Sequence, residues 1–290
     1  SLEIAYKNIL SEKDWDFWLN NGFVIIKNSV SESQADKTAK FLWEFENKNP
    51  YEPLTWNSKP RAEMQMKELV GTGMVEAYNH QTLWDNRQSK KIYDAFVDVW
   101  GTHKLWVSID RANLNFPIGE YNQNLGFIHW DYAPDTKPVN VQGVLALSDQ
   151  IDEKMGGFQC VPRLFREYDY WKLKQPKNRD KFKPDISDFK NEIIKVPLKK
   201  GDLLIFNSLL PHGIRPNLSK NKIRIAQYVS MFPSEENNES LKEWRIKSWS
   251  ERIAPEGYAF PGDPRSWEQK KYKKAKLSDL GKKLLGLKSW

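Results

Sequence analysis

Apolar positions along this chain change their period partway through. Near the N-terminus they recur at helical intervals. Trp15, Trp18 and Leu19 form a short stripe that Asp14 can cap and Gly22 can end. The run GFVIIKN is continuous and β-branched and predicts a strand. Helical spacing returns at Ala35, Ala39, Leu42 and Trp43, and again at Ile92, Phe96, Val99 and Trp100 before Gly101. Residues 49–66 between them contain prolines and show no period.

From Lys104 the texture becomes that of strands. KLWVSIDRANLNF alternates in part, and GFIHWDY, VNVQGVLALSD, GGFQCVP, IIKVPLKKGDLLIFN and KIRIAQYVSMF follow, separated by Gly, Pro and Asn turns. Short β segments punctuated in this way predict an antiparallel barrel or sandwich. Residues 164–190 are long, charged and proline-containing, which suggests a lid inserted into the β region. From Ser240 the pattern is helical again. The expectation is one α+β domain over 1–290, with a β core at roughly 104–232 and flanking N- and C-terminal helices.

Composition narrows this little but usefully. At 290 residues, 39% of them hydrophobic, the chain can bury a substantial core and is not of disordered type. No apolar run approaches the ~18–20 residues that span a bilayer. The first residues lack a basic region followed by an apolar one, so no secretory signal is expected, although Ser1 is not an initiator methionine. The single cysteine, Cys160, permits no internal disulfide and no thiolate metal cage, which fits a reducing, cytoplasmic setting. The formal charge of +7 lies entirely in 264–290; the rest of the chain is neutral. That basic tail ends in Leu284, Leu285, Leu287 and Trp290, which favours docking onto the body over binding nucleic acid or another anionic partner.

The chemistry concentrates in FIHWDYAP. In an extended run, His129 and Asp131 point to one side and Trp130 to the other. Such a pair is either a structural hydrogen bond or part of a metal site. A second histidine, His212, follows the apolar run DLLIF and sits between Pro211 and Gly213. Two imidazoles and one carboxylate on one face leave adjacent metal positions open, as in non-haem Fe(II) oxygenases; a tetrahedral zinc site with the same ligands is the alternative. Twelve residues after His212 comes Arg224, on a strand face shared with Ala226 and Tyr228. Its planar fork suits a carboxylate, for which the distal carboxylate of 2-oxoglutarate is the natural client.

In this order, HWD, then GDLLIFNSLLPHGIRPN, then Arg224 before an apolar strand, the sequence resembles the phytanoyl-CoA dioxygenase family of Fe(II)/2-oxoglutarate oxygenases. NGFVIIKNSVSES resembles the start of the family's domain, and the resemblance covers most of 14–232. It implies a double-stranded β-helix (a cupin-like jelly roll), with Fe(II) held by His129, Asp131 and His212, and 2-oxoglutarate held by Arg224. O2 would be the oxidant, succinate and CO2 the by-products, and hydroxylation of a small molecule the usual result. One departure is VPRLFRE, where many members read proline, glycine, serine, histidine. With Asp131 present, oxygenation without halide is implied, since halogenating relatives carry a small residue there.

Other residues take roles from their neighbourhood. Gln142, Asn113 and Tyr228 are candidates for helping Arg224 with the co-substrate. Arg111, Trp130 and Tyr132 are candidates for substrate contact. His80 and His103 lie outside the motif and read as structural; Arg163 and Arg215 read as surface salt-bridge residues, and Cys160 as a small buried apolar residue. The alternatives in function are an oxygenase of a macromolecule using the basic tail, and a jelly-roll binding protein without catalysis. Oligomeric state has no signature in the sequence.

Overall fold

The computed structural model describes residues 7–57, 71–120, 122, 125–136, 139–257 and 259–290. Of the irregular stretch at 49–66, only the part through 57 lies within these. Four helices and two strands come first: α1 (Glu12–Asn21), β1 (Phe23–Ile26), α2 (Glu32–Phe45), β2 (Met74–Val75), α3 (Gln81–Arg87) and α4 (Lys90–Trp100). The strands β3 (Leu105–Val107), β4 (Ala112–Asn115), β5 (Val141–Ala146) and β6 (Gly157–Cys160) follow. After α5 (Pro162–Lys172) come β7 (Ile194–Lys195), β8 (Leu203–Asn207), β9 (His212–Arg215), β10 (Arg224–Tyr228) and β11 (Met231–Pro233), then α6 (Glu239–Glu251), α7 (Trp267–Lys271) and α8 (Asp279–Leu285).

Local chemistry accounts for most boundaries. Ser11, rather than Asp14, caps α1. Asp14 is instead the reciprocal partner in a capping box, and left-handed Gly22 ends the helix. Ser31 and Ser89 cap α2 and α4. The run GFIHWDY forms no strand; its pairing is a single bridge between His129 and His212.

All the strand pairings are antiparallel. Six strands form one sheet in the order β1-β8-β5-β10-β4-β2, and β7-β6-β9 form a second of three. Register places Gln142, Val144 and Ala146 of β5 on one face with Phe206, Tyr228 and Ala226. The same face carries Arg224 opposite Asn115 and Ala226 opposite Asn113. This inner face packs against Phe158 and Cys160 of the smaller sheet. The outer face, with Leu145, Ile205 and Leu203, is covered by the helical layer of α2, α3 and α4. The tail docks, as its apolar end predicts. Leu284 and Leu285 are fully buried, and Trp290 stacks on Tyr93 and donates its indole N–H to the Leu105 carbonyl at 2.7 Å.

Glu268 in α7 fixes this C-terminal layer. It is 3% exposed and accepts the N–H groups of Tyr78 and Asn79 at 2.8 and 2.7 Å. Burial, opposed by those bonds and by Arg87, pushes its carboxyl up to about 7. The folded state thus favours the neutral acid. This stability is present below the ordinary carboxyl range and is lost as pH rises through about 7. Wild type should therefore lose about 3 kcal/mol over that window relative to Glu268→Gln, measured by urea unfolding at successive pH values.

Candidate metal and co-substrate site

Residues 127–129 run beside the start of β9 and place the site between the two sheets. The His129 N–H donates to the His212 carbonyl at 2.7 Å, and the His212 N–H returns a bond of 3.0 Å. Gly213 permits this approach, because a Cβ there would fall 1.7 Å from the Phe127 carbonyl oxygen. The ligand atoms of His129, Asp131 and His212 lie within 4.8 Å of one another. Asp131 Oδ1 is 3.3 Å from His129 Nε2, and Oδ2 is 3.0 Å from His212 Nε2.

His212 is held from three sides. Phe158 stacks on its ring at 5.8 Å, Phe206 lies at 4.3 Å, and Nδ1 sits 2.9 Å from the Leu210 carbonyl. A carbonyl only accepts, so Nδ1 carries the proton and the Nε2 lone pair is aimed at Asp131. Two acceptors facing across 3.0 Å call for a proton or a cation between them. Burial alone would raise the Asp131 carboxyl. With a proton bridging it to His212, that hydrogen bond, the two imidazoles and a hydrogen bond from Gln142 outweigh burial and hold the group at about 2. Burial also lowers His129, against the pull of Asp131. The donor set fits a divalent metal, with Gln142 orienting the carboxylate ligand.

The second half of the site is a buried cation. Arg224 is fully buried, and its Nε and Nη2 have no hydrogen-bond partner; Nη1 donates to the Tyr228 hydroxyl at 3.3 Å. No side-chain carboxylate among the described residues forms an ion pair with it. Opposite Arg224, the Asn115 amide is also buried, with both polar atoms unpartnered. Unpaired buried donors on one face call for an anionic ligand.

The metal trio lines a cavity of about 300 Å³; of the second half, Tyr228 reaches this lining, whereas Arg224 and Asn115 do not. His129, Asp131, His212, Gln142, Tyr228 and Arg111 line it, with Phe158, Phe206 and Val144 as apolar walls. Arg111 is 6% exposed, between the carboxylates of Asp110 at 3.8 Å and Glu76 at 3.9 Å. Asp110 is raised by burial.

Three other candidates fall elsewhere. Asn113 donates its amide to the Thr72 carbonyl at 3.0 Å and does not line the cavity. Tyr132 is half-buried beside Asp131, also outside the lining. Trp130 points the opposite way from the ligands. It packs among Leu164, Tyr168, Trp171 and Phe189, donates its indole N–H to the Leu209 carbonyl at 2.9 Å, and is 1% exposed. Strand-like alternation is the reason: ligands on one side leave Trp130 on the other. Residues 164–190, read as a lid, supply that backing through α5 and the Phe182 carbonyl, and none of them lines the cavity. Arg215 is likewise buried, donating to the Phe158 carbonyl at 3.0 Å. Trp130→Ala should cost about 3–5 kcal/mol in urea unfolding, and Trp130→Phe about 1 kcal/mol for the lost hydrogen bond.

Sequence reasoning missed Asp110, Asn115, Phe158, Phe206 and Phe260. Asn115 carried a signal, the alternation of polar residues 111, 113 and 115 in the run that becomes β4. Phe260 carried none.

Comparison with known proteins gives the family and the fold. The family model described as phytanoyl-CoA dioxygenase (PhyH) matches residues 18–226. The chain is 26% identical over 243 residues to Ava biosynthesis cluster protein O of Aspergillus versicolor, covering 76% of this chain and 77% of that one. The crystal structure of GlcNAc Inducible Gene 2 of Candida albicans superposes with a TM-score of 0.69 at 15% identity, over 100% of this chain and 79% of that one. HygX of Streptomyces hygroscopicus, solved with nickel and 2-oxoglutarate bound, gives a TM-score of 0.54 at 12% identity, over 79% of this chain and 89% of that one. These two structures share the fold.

Proposed function

The chain belongs to the phytanoyl-CoA dioxygenase family and is an Fe(II)/2-oxoglutarate-dependent oxygenase, and on that premise we propose that it oxidises an unactivated C–H bond of a small molecule, with hydroxylation as the outcome. The observation that carries this reading is the convergence of His129, Asp131 and His212 over the sheet face that also bears Arg224, whose Nε and Nη2 have no hydrogen-bond partner. The two facing antiparallel sheets are read as a double-stranded β-helix, and 1–290 as a single domain.

Fe(II), bound with 2-oxoglutarate and O2, supplies the oxidising power, with release of succinate and CO2. His129, Asp131 and His212 are its ligands. Gln142 holds the Asp131 carboxylate in place, and the Phe158–Phe206 wedge holds His212. Arg224 grips the distal carboxylate of the co-substrate, with Tyr228 and Asn115 beside it. Trp130 stiffens the ligand-bearing arm from behind rather than touching substrate. Arg111 lines the cavity while its Nε and Nη1 lie 3.8 and 3.9 Å from Asp110 and Glu76, and it is the cation that would meet an acceptor group on the substrate. The apolar walls keep water from the reacting C–H bond. A cavity of about 300 Å³ suits a small molecule. No helix among the described residues is long and apolar enough to cross a membrane. Desaturation or ring closure would use the same residues. The test is succinate release in the presence of Fe(II), 2-oxoglutarate and a mixed metabolite library, with a substrate-dependent rise expected.

A further inference from the structure

We infer that Phe260 is the residue that limits substrate length, by closing the end of the catalytic cavity against a second cavity behind it. The inference rests on reading the first cavity as the oxygenase site. Phe260 belongs to the connection between α6 and α7, which lies beyond the residues the family model matches. The segment is tied at both ends. The Ile253 carbonyl accepts Asn79 Nδ2 at 3.0 Å and Ser248 Oγ at 2.7 Å, and Asp263 accepts Arg265 Nε at 3.0 Å. Between these ties Ala259 and Phe260 reach the catalytic cavity.

Among the described residues, Phe260 is the one common to the linings of both cavities. Its ring centroid is 5.1 Å from the Arg111 guanidinium carbon, in the first lining, and 6.1 Å from the Tyr78 ring, edge-on, in the second. The Arg111–Glu76 pair spans the same boundary, Arg111 in the first lining and Glu76 in the second. The second cavity also measures about 300 Å³. Pocket volumes for small ligands start at about 300 Å³, and here one such volume serves both co-substrate and substrate. The site as closed by Phe260 therefore takes a compact molecule: an apolar reacting part near Phe158 and Phe206, and a hydrogen-bond acceptor at Arg111. Removing the ring would join the two cavities and admit a longer one.

The test uses the full chain loaded with redox-silent Mn(II) and 2-oxoglutarate, probed with straight-chain primary alcohols of increasing length. Affinity is read from tryptophan fluorescence and from the shift in melting temperature. It should rise about fourfold per buried methylene until the alcohol fills the space between the Phe158–Phe206 wall and Phe260, then level off. In Phe260→Ala the rise should continue to longer alcohols, and in Phe260→Trp it should stop earlier. Phe260→Leu should fall between Ala and wild type, and the Leu–Trp comparison stands alone where Ala does not fold. The same levelling length in every folded variant would overturn the inference. Failure of wild type to bind Mn(II) would sink the oxygenase reading instead, while the alcohol series on the metal-free protein would still test the partition.

Discussion

Replacing Asp131 by asparagine should lower Mn(II) affinity and Fe(II)-dependent succinate release by more than about 100-fold while leaving the fold intact. The reasoning starts from the lone pairs. Leu210 takes the Nδ1 proton of His212, so His212 Nε2 and Asp131 Oδ2 meet as two acceptors across 3.0 Å. An asparagine amide can donate to Nε2, which removes the clash and the demand for a cation together. The metal-free variant should melt at or above the wild-type temperature. His212→Ala should also abolish metal binding, but it empties the space between Phe158 and Phe206 and should destabilise the protein as well. Saturating Mn(II), at about 100 times its Kd, should stabilise wild type by about 2.7 kcal/mol and neither variant. If instead the trio is only a hydrogen-bonded network, Mn(II) will not move the wild-type melt, and Asp131→Asn will retain whatever activity wild type has.

The candidate ligand set was legible because each member sits where period and spacing constrain it. His129 and Asp131 differ by two, His212 follows a buried strand, and Arg224 lies on an alternating one. The helices were legible from apolar spacing, with Gly22 and Gly101 marking ends through local backbone chemistry; the caps Ser11, Ser31 and Ser89 emerged only in the structure. What could not be read is what side chains do once elements pack. Asn113 and Asn115 are equivalent in the alternation, yet the Thr72 carbonyl occupies the first, and the second faces Arg224. The long segment 164–190 looks like a lid by length and charge, but Leu164, Tyr168 and Trp171 form an apolar stripe that buries Trp130. Phe260 is far from every motif in sequence. It reaches the cavity from a connection flanked by Ile253 and Glu268, both of which are bonded to Asn79.

Arg224→Met should weaken 2-oxoglutarate binding by about 100-fold or more and, in the same protein, leave apo stability unchanged or increased. Both effects come from one fact. The guanidinium is fully buried, with Nε and Nη2 unpartnered, so without a ligand it carries an unrecovered desolvation cost. Methionine fills similar space without that cost. A carboxylate docking on the wild-type fork would satisfy both nitrogens at once, and losing such a buried charge-assisted pair removes about 2–5 kcal/mol. Arg224→Lys keeps the charge but not the fork, so its affinity should fall between the two. Calorimetric titration of 2-oxoglutarate into the Mn(II)-loaded protein gives the affinity, and urea unfolding of the metal-free protein gives the stability. An arginine that merely braces β10 against β4 predicts the reverse pairing: a less stable Arg224→Met with unaltered co-substrate affinity. The two measurements move in opposite senses under the two roles, because a structural arginine stabilises the empty protein and a ligand-binding one stabilises only the loaded form.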